Sequence, residues 1–174
     1  LCIGRFTKQK NHIFLLNFFK NNDYFLKEFQ VVIIGDGELK KKYDYIIKSE
    51  NLKDKVKILS YKSNVYNYIK NSKCIISCSL WEDPGFIMVE AASIGITIIT
   101  SDCPNGPKEF IDSGNCGFIF RSNNEDSLKK ELNNYLNSSN NEIKTKLINA
   151  KKKSKKYTPF YNSMRLYDIL QTKL

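Results

Sequence analysis

Six short apolar runs, each passing into a polar or glycine-containing loop, constrain this chain more than any other feature. They are Leu1–Arg5, Phe29–Ile34, Val56–Leu59, Cys74–Cys78, Thr97–Thr100 and Gly117–Phe120. Such runs are too short for ordinary helices, and the β-branched ones lack polar alternation, as expected of strands covered on both faces. Between them lie helical patterns: Asn11–Asn21, Glu38–Ser49, Val65–Lys70, a helix starting between Pro84 and Ile87, and Lys108–Asp112. Strand alternating with helix predicts an α/β fold, a doubly wound Rossmann-like parallel sheet of about six strands. One domain over residues 1–174 is expected, with a core at 1–121 and a helical C-terminal tail at 122–174. In the tail, Leu128, Leu132, Tyr135 and Leu136 share a face, and Met164, Leu166, Ile169 and Leu170 continue the pattern. The chain opens on Leu1-Cys2-Ile3-Gly4, which reads as a strand end in a piece of something longer.

In such sheets ligands bind outside the carboxyl ends of the strands. Arg5, Gly35-Asp36-Gly37, Leu59-Ser60-Tyr61, Glu82 and the Asp102 loop all follow strands, so they share one rim. The stretch Trp81–Ile96 dominates that rim. Asp83-Pro84-Gly85 suits a helix start, and from Phe86 to Ile96 only Glu90 and Ser93 carry polar side chains. The helix is therefore expected to be buried on most sides, and Glu90 to need hydrogen-bond partners, since an unsatisfied interior carboxylate costs several kcal/mol. Two partners fit: a lysine or arginine of the same domain, or the adjacent hydroxyls of a ribose beside a helix end that receives phosphates. Arg5, Lys8 and Lys10 in the first loop, with the free amides of Gly85, Phe86 and Ile87, would suit a diphosphate.

Other chemistries find little support. Five cysteines without a C-x-x-C pair, and one histidine, do not make a zinc site. Free thiols in a reducing cytoplasm are expected, with His12 at the surface or capping the first helix. No Walker glycine loop, nucleophile elbow or membrane-length apolar stretch is present. A formal charge of +10 admits nucleic acid, an anionic membrane surface or a phosphate-bearing ligand. A basic nucleic-acid-binding module is the alternative. It is disfavoured because the aromatic residues sit in apolar runs instead of alternating with exposed cations.

Gly4-Arg5-Phe6, Lys8-Gln9-Lys10-Asn11, Gly35-Asp36-Gly37, Glu82 with seven residues to Glu90-Ala91-Ala92, Gly95 and Ser101-Asp102-Cys103-Pro104 together resemble the group 1 glycosyltransferases. The likeness runs in order from Leu1 to about Phe120. It implies a retaining, nucleotide-sugar-dependent hexosyltransferase of GT-B fold, of which this chain would be the C-terminal donor-binding domain. Carried over by position, Arg5 and Lys10 would neutralise the donor diphosphate, and Glu82 would face the transferred sugar. Glu90 would hold the ribose. Gly4, Gly35, Gly85, Phe86 and Ile87 would line the site, with Leu59 and Tyr61 near the base. The resemblance implies no cofactor and no metal, and a UDP-sugar ahead of a GDP-sugar as donor. It also implies an N-terminal acceptor domain and a glycan or lipid-linked acceptor in bacterial surface polysaccharide assembly. The enzyme would be cytoplasmic, with the option of peripheral attachment to the inner membrane face, and nucleic acid is not an expected partner. One departure is Glu82-Asp83-Pro84-Gly85-Phe86, where the family often has Glu-Gly-Phe-Gly; Pro84 lacks an N–H and Asp83 adds charge.

Overall fold

A computed structural model describes residues 1–171; the last three positions of the expected tail lie outside the described residues. The strands are β1 (Cys2–Ile3), β2 (Val31–Ile34), β3 (Val56–Leu59), β4 (Cys74–Ser77), β5 (Thr97–Ser101) and β6 (Phe118–Phe120). The helices are α1 (His12–Asn21), α2 (Phe25–Glu28), α3 (Lys40–Ser49), α4 (Tyr66–Lys70), α5 (Phe86–Ile94) and α6 (Pro107–Ile111). A helical tail follows as α7 (Glu125–Asn137), α8 (Asn140–Ser154) and α9 (Pro159–Gln171). The α/β class and the parallel strands are as the alternation predicts.

The sheet differs from a single six-stranded ladder. Two three-stranded parallel sheets form, β1-β2-β3 and β4-β5-β6. Among the described residues, the backbone hydrogen bonds between their edges are those of Leu1, whose amine donates to the Cys74 carbonyl (2.9 Å) and whose carbonyl accepts from the Ile76 amide (2.8 Å). The cause is the shortness of β1, two residues long, which leaves room for one residue's worth of pairing with β4. Across the molecule the strands therefore run β3-β2-β1-β4-β5-β6, with the order reversing between β1 and β4. That reversal is where ligands lodge in doubly wound sheets.

Alternation along the strands builds two apolar layers. Cys74, Ile76 and Ile99 point to one cluster with Phe14, Leu15, Phe18 and Phe19 of α1 and Leu128 and Leu132 of α7. Ile75 and Ile98 point to the other, with Met88, Ala91 and Ala92 of α5, Phe110 and Ile111 of α6 and Ala150 of α8. Each fully buried large side chain contributes about 1.5–3 kcal/mol, so these two layers hold the halves on either side of the sheet. The tail breaks where its own side chains cap the backbone. Asn124 accepts from the Ser127 amide (2.8 Å) at the start of α7. Ser139 and Glu142 form a capping box at the start of α8.

Three expectations fail here. His12 is not a surface or capping residue: it is 3% exposed, wedged between the rings of Phe6 and Tyr43. The apolar residues of α9 do not continue the core, since Met164, Leu166, Ile169 and Leu170 are all exposed. Helix α5 buries one face only, with Phe86 exposed and Glu90 half-buried. In each case periodicity marks an apolar face but not what covers it.

Burial, and secondarily the Lys10 charge, lowers the His12 pKa from its usual 6.5 to about 4. The unfolded chain then takes up this proton first as pH falls. The stability is full above pH 6.5 and is lost progressively down to about pH 4, a total on the order of 3 kcal/mol. Urea unfolding between these limits is expected to show that slope, and His12→Gln to flatten it. An equal slope in the variant would assign the acid sensitivity to other groups.

Candidate functional site

The loop after β1 is stitched to the loop after β2. Gly4 donates to Ile34 O (3.0 Å), Phe6 to Asp36 O (2.8 Å), and Leu39 back to Phe6 O (3.0 Å). Gly35 permits this approach, because a Cβ there would lie 2.0 Å from Gly4 O. Its own amide bonds Leu59 O (3.0 Å), which draws the end of β3 to the same rim.

On the other side of the reversal, the segment after β4 closes onto the first loop. The Leu80 amide donates to Gln9 O (2.8 Å), and Gln9 Nε2 donates to Trp81 O (3.0 Å). The Glu82 amide is fixed on Pro104 O (3.1 Å), beyond β5. At the centre, Lys10 Nζ donates to both Glu82 carboxylate oxygens, each at 2.7 Å. Ser79 Oγ adds a third donor to Oε1 at 2.5 Å. Ser79 is itself anchored, its carbonyl accepting from Ser101 Oγ at 2.6 Å. Glu82 is 3% exposed.

Helix α5 starts immediately beyond. Gly85 is its N-cap in the left-handed region (φ 81°), a conformation glycine adopts without a Cβ penalty. Among the described residues no acceptor meets the amides of Gly85, Phe86 and Ile87. They leave a positively polarised end. Arg5 is exposed, and its guanidinium has no hydrogen bond or ion pair among the described residues.

One turn into α5, Glu90 is half-buried, and its carboxylate has no hydrogen bond or ion pair among the described residues. Burial alone raises its pKa above the usual carboxylate value. It borders an open cavity of about 320 Å³, which Tyr66 and Lys155 also line. The two acids differ in their surroundings. Glu82, expected to face the transferred sugar, is buried and paired with Lys10 and Ser79; Glu90, for which a cation of the same domain or a ribose was expected, is paired with no such cation among the described residues. The reason is helix phase. Met88, Ala91 and Ala92 take the core face of α5, which turns position 90 away from it, whereas Glu82 precedes the helix and folds beneath its N-terminus.

Lys10, Glu82 and the start of α5 are brought together, with Gly4 against the Lys10 stem and Gly35 against Gly4, while Arg5 stands exposed on the same loop as Lys10. Tyr61 shares the rim but is 73% exposed and bonded to none of these groups. Sequence reasoning missed Ser79 and Ser101, which build the polar floor under Glu82. The only signal was a serine three residues before the acid, a spacing that points nowhere without the strand end that turns it inward.

A group 1 glycosyl transferase profile ("Glycosyl transferases group 1") matches residues 1–154. The chain is 37% identical over 109 residues to an uncharacterized glycosyltransferase of Methanocaldococcus jannaschii, covering 63% of this chain and 27% of that one. It is 30% identical over 159 residues to a Campylobacter jejuni alpha-1,4-N-acetyl-D-galactosaminyltransferase named for GalNAc-alpha-(1->4)-GalNAc-alpha-(1->3)-diNAcBac-PP-undecaprenol, covering 90% and 43% of the two chains. Among solved structures, Anabaena HepE in complex with UDP superposes with a TM-score of 0.81 at 17% identity, covering 98% of this chain and 48% of that one. The chain thus spans between a quarter and a half of the length of these proteins.

Removing the two acids is expected to move stability in different directions. Glu82→Ala leaves Lys10 and Ser79 without their acceptor and should cost about 3 kcal/mol. Glu90 has a raised native pKa, so its charged form is the disfavoured one, and its contribution to stability declines as pH rises through that value. Glu90→Gln should therefore be no less stable than the parent at pH 7 by urea unfolding. A clear loss there would mean that Glu90 has a structural partner.

Proposed function

The chain belongs to the group 1 glycosyl transferases, and from that membership we propose that it forms the nucleotide-sugar-binding half of a retaining hexosyltransferase. The observation that carries the reading is the Lys10–Glu82 pair at the β1/β4 reversal beside the unbonded amides opening α5, with Arg5 exposed on the same loop as Lys10 and an unpartnered Glu90 one turn into α5. A diphosphate needs planar and point cations together with helix-end N–H groups. A ribose needs an acceptor for two adjacent hydroxyls. Glu90, free of internal partners, can supply it.

In the reaction the bond between the anomeric carbon and the diphosphate oxygen breaks, and its electron pair stays on the phosphate. An acceptor hydroxyl forms the new C–O bond on the same face, and its proton passes to the departing phosphate. Charge developing on that phosphate meets Arg5, an N–H of Lys10 and the amides of Gly85, Phe86 and Ile87. Losing one such donor typically costs on the order of 10²–10³ in rate. UDP is the donor nucleotide we favour, in line with the UDP complex of the structural relative. A diphospho-polyprenol glycan is the acceptor class suggested by the name of the Campylobacter jejuni relative. The acceptor would be held by a further domain, and the enzyme would work from the membrane surface. No helix among the described residues is long and apolar enough to cross a membrane.

Calorimetric titration of this chain with UDP, GDP and ADP tests the reading. One base should bind in preference, Glu90→Ala should weaken it at least tenfold, and binding should fall at acid pH as Glu90 protonates. Unchanged affinity in Glu90→Ala would return that carboxylate to a role in the fold. The chain by itself should bind the donor without transferring sugar.

A further inference from the structure

We propose that an open cavity beside the crevice, between the segment after β4 and the start of α9, takes a sugar ring of the acceptor glycan. The acceptor role rests on the donor-site reading above; the chemistry of the cavity stands apart from it. The cavity measures about 750 Å³, inside the ~300–1,000 Å³ usual for small-ligand sites. One wall is Asp83-Pro84 with the start of α6; the other is the turn after α8 with the first two turns of α9. The first wall is fixed. A Cβ on Gly106 would lie 2.2 Å from Pro84 O, and the Glu82 amide is bonded to Pro104 O at 3.1 Å.

The lining carries charges of both signs that do not meet. Asp83 and Glu109 on one side, and Lys156 and Arg165 on the other, have no ion pair among the described residues. Lys153, which also lines the cavity, donates to the Glu109 carbonyl and not to its carboxylate. Lysines closing α8 oppose the helix dipole. That accounts for Lys153, but not for Arg165, which lies midway along α9. An anion here would meet two carboxylates, and a cation would meet Lys156 and Arg165. A pyranose is neutral, and each of its hydroxyls both donates and accepts, so it suits acids and cations together. It also has an apolar C–H face, which an aromatic ring can cover. Tyr161 is 40% exposed at the cavity, and Tyr157 is steadied by the Phe110 ring at 5.6 Å. Asp83 directly follows Glu82. A glycan held here therefore ends at the crevice in which the donor reading places the reacting carbon.

The test uses the methyl α-glycosides of glucose, galactose, N-acetylglucosamine and N-acetylgalactosamine. Each is added to the UDP-saturated chain up to about 50 mM, since a single ring binds weakly against the entropy of association, and amide shifts are recorded. At least one glycoside should shift amides within 105–109 and 157–165 and leave those of 86–90 in place. Tyr161→Ala and Arg165→Met should each weaken that glycoside about tenfold. Both side chains are exposed, so the UDP affinity and the urea midpoint should stay at the parent values. No shift from any glycoside, shifts confined to 82–90, or shifts that survive both substitutions would overturn the proposal. A parent chain that binds no UDP overturns the donor reading and the acceptor role with it. The glycoside titration, repeated without UDP, then still decides whether the cavity takes a sugar.

Discussion

The contact between Lys10 and Glu82 joins what the sheet joins only weakly. The two three-stranded halves share the backbone bonds of a single residue, Leu1. Above that seam, the loop after β1 and the segment after β4 are tied by a charged pair, two backbone-mediated bonds at Gln9 and a serine floor. A half-wet surface ion pair would contribute little. This one is nearly dry on the acid side, so breaking it leaves a buried group without its partner, a cost that adds to the apolar cluster spanning both sheets.

The same pair governs the electrostatics of the rim. Much of the chain's positive excess lies in lysine runs such as Lys40-Lys41-Lys42 and Lys151-Lys152-Lys153, of which Lys151 lines the cavity that Glu90 borders and Lys153 one shared with Asp83 and Pro84. Within the crevice, Lys10 is neutralised by Glu82, Arg5 stands open, and the N-terminus of α5 presents unbonded amides. On the proposed reading the site would attract an anion with the mobile charges of its first loop and several fixed dipoles. Fixed donors need little reorganisation when a ligand arrives, which is what favours charge stabilisation in a folded site over water. Glu90 follows the opposite logic. It is partly withdrawn from water and its carboxylate has no partner within the described residues.

Some of this was legible from the residues. The strands lie where the apolar runs place them: β3 has the expected bounds, β5 extends to Ser101, and the others are shorter where end residues such as Phe29 or Gln30 leave the ladder. Helix α5 starts at Phe86, as the Asp83-Pro84-Gly85 turn requires. The rim grouping of Arg5, Lys10 and Glu82 followed from their all being loop residues after parallel strands. The exposure of α9 and the burial of His12 were not legible. Apolar spacing says which side of a helix is greasy, and nothing local says whether Phe6 and Tyr43 will close over a histidine.

The sequence by itself determined the α/β alternation, the parallel strands, the residues of the crevice loops and the eight-position offset between the two glutamates. These depend on local periodicity and on what proline and glycine permit, which act within a few residues. Tertiary structure alone decided which glutamate is sealed and which is open, and that Lys10 belongs to Glu82. Those outcomes depend on helix phase against the core and on a contact spanning 72 positions of the chain. Charge pairing at that separation is set by where the loops land, not by any spacing along the chain.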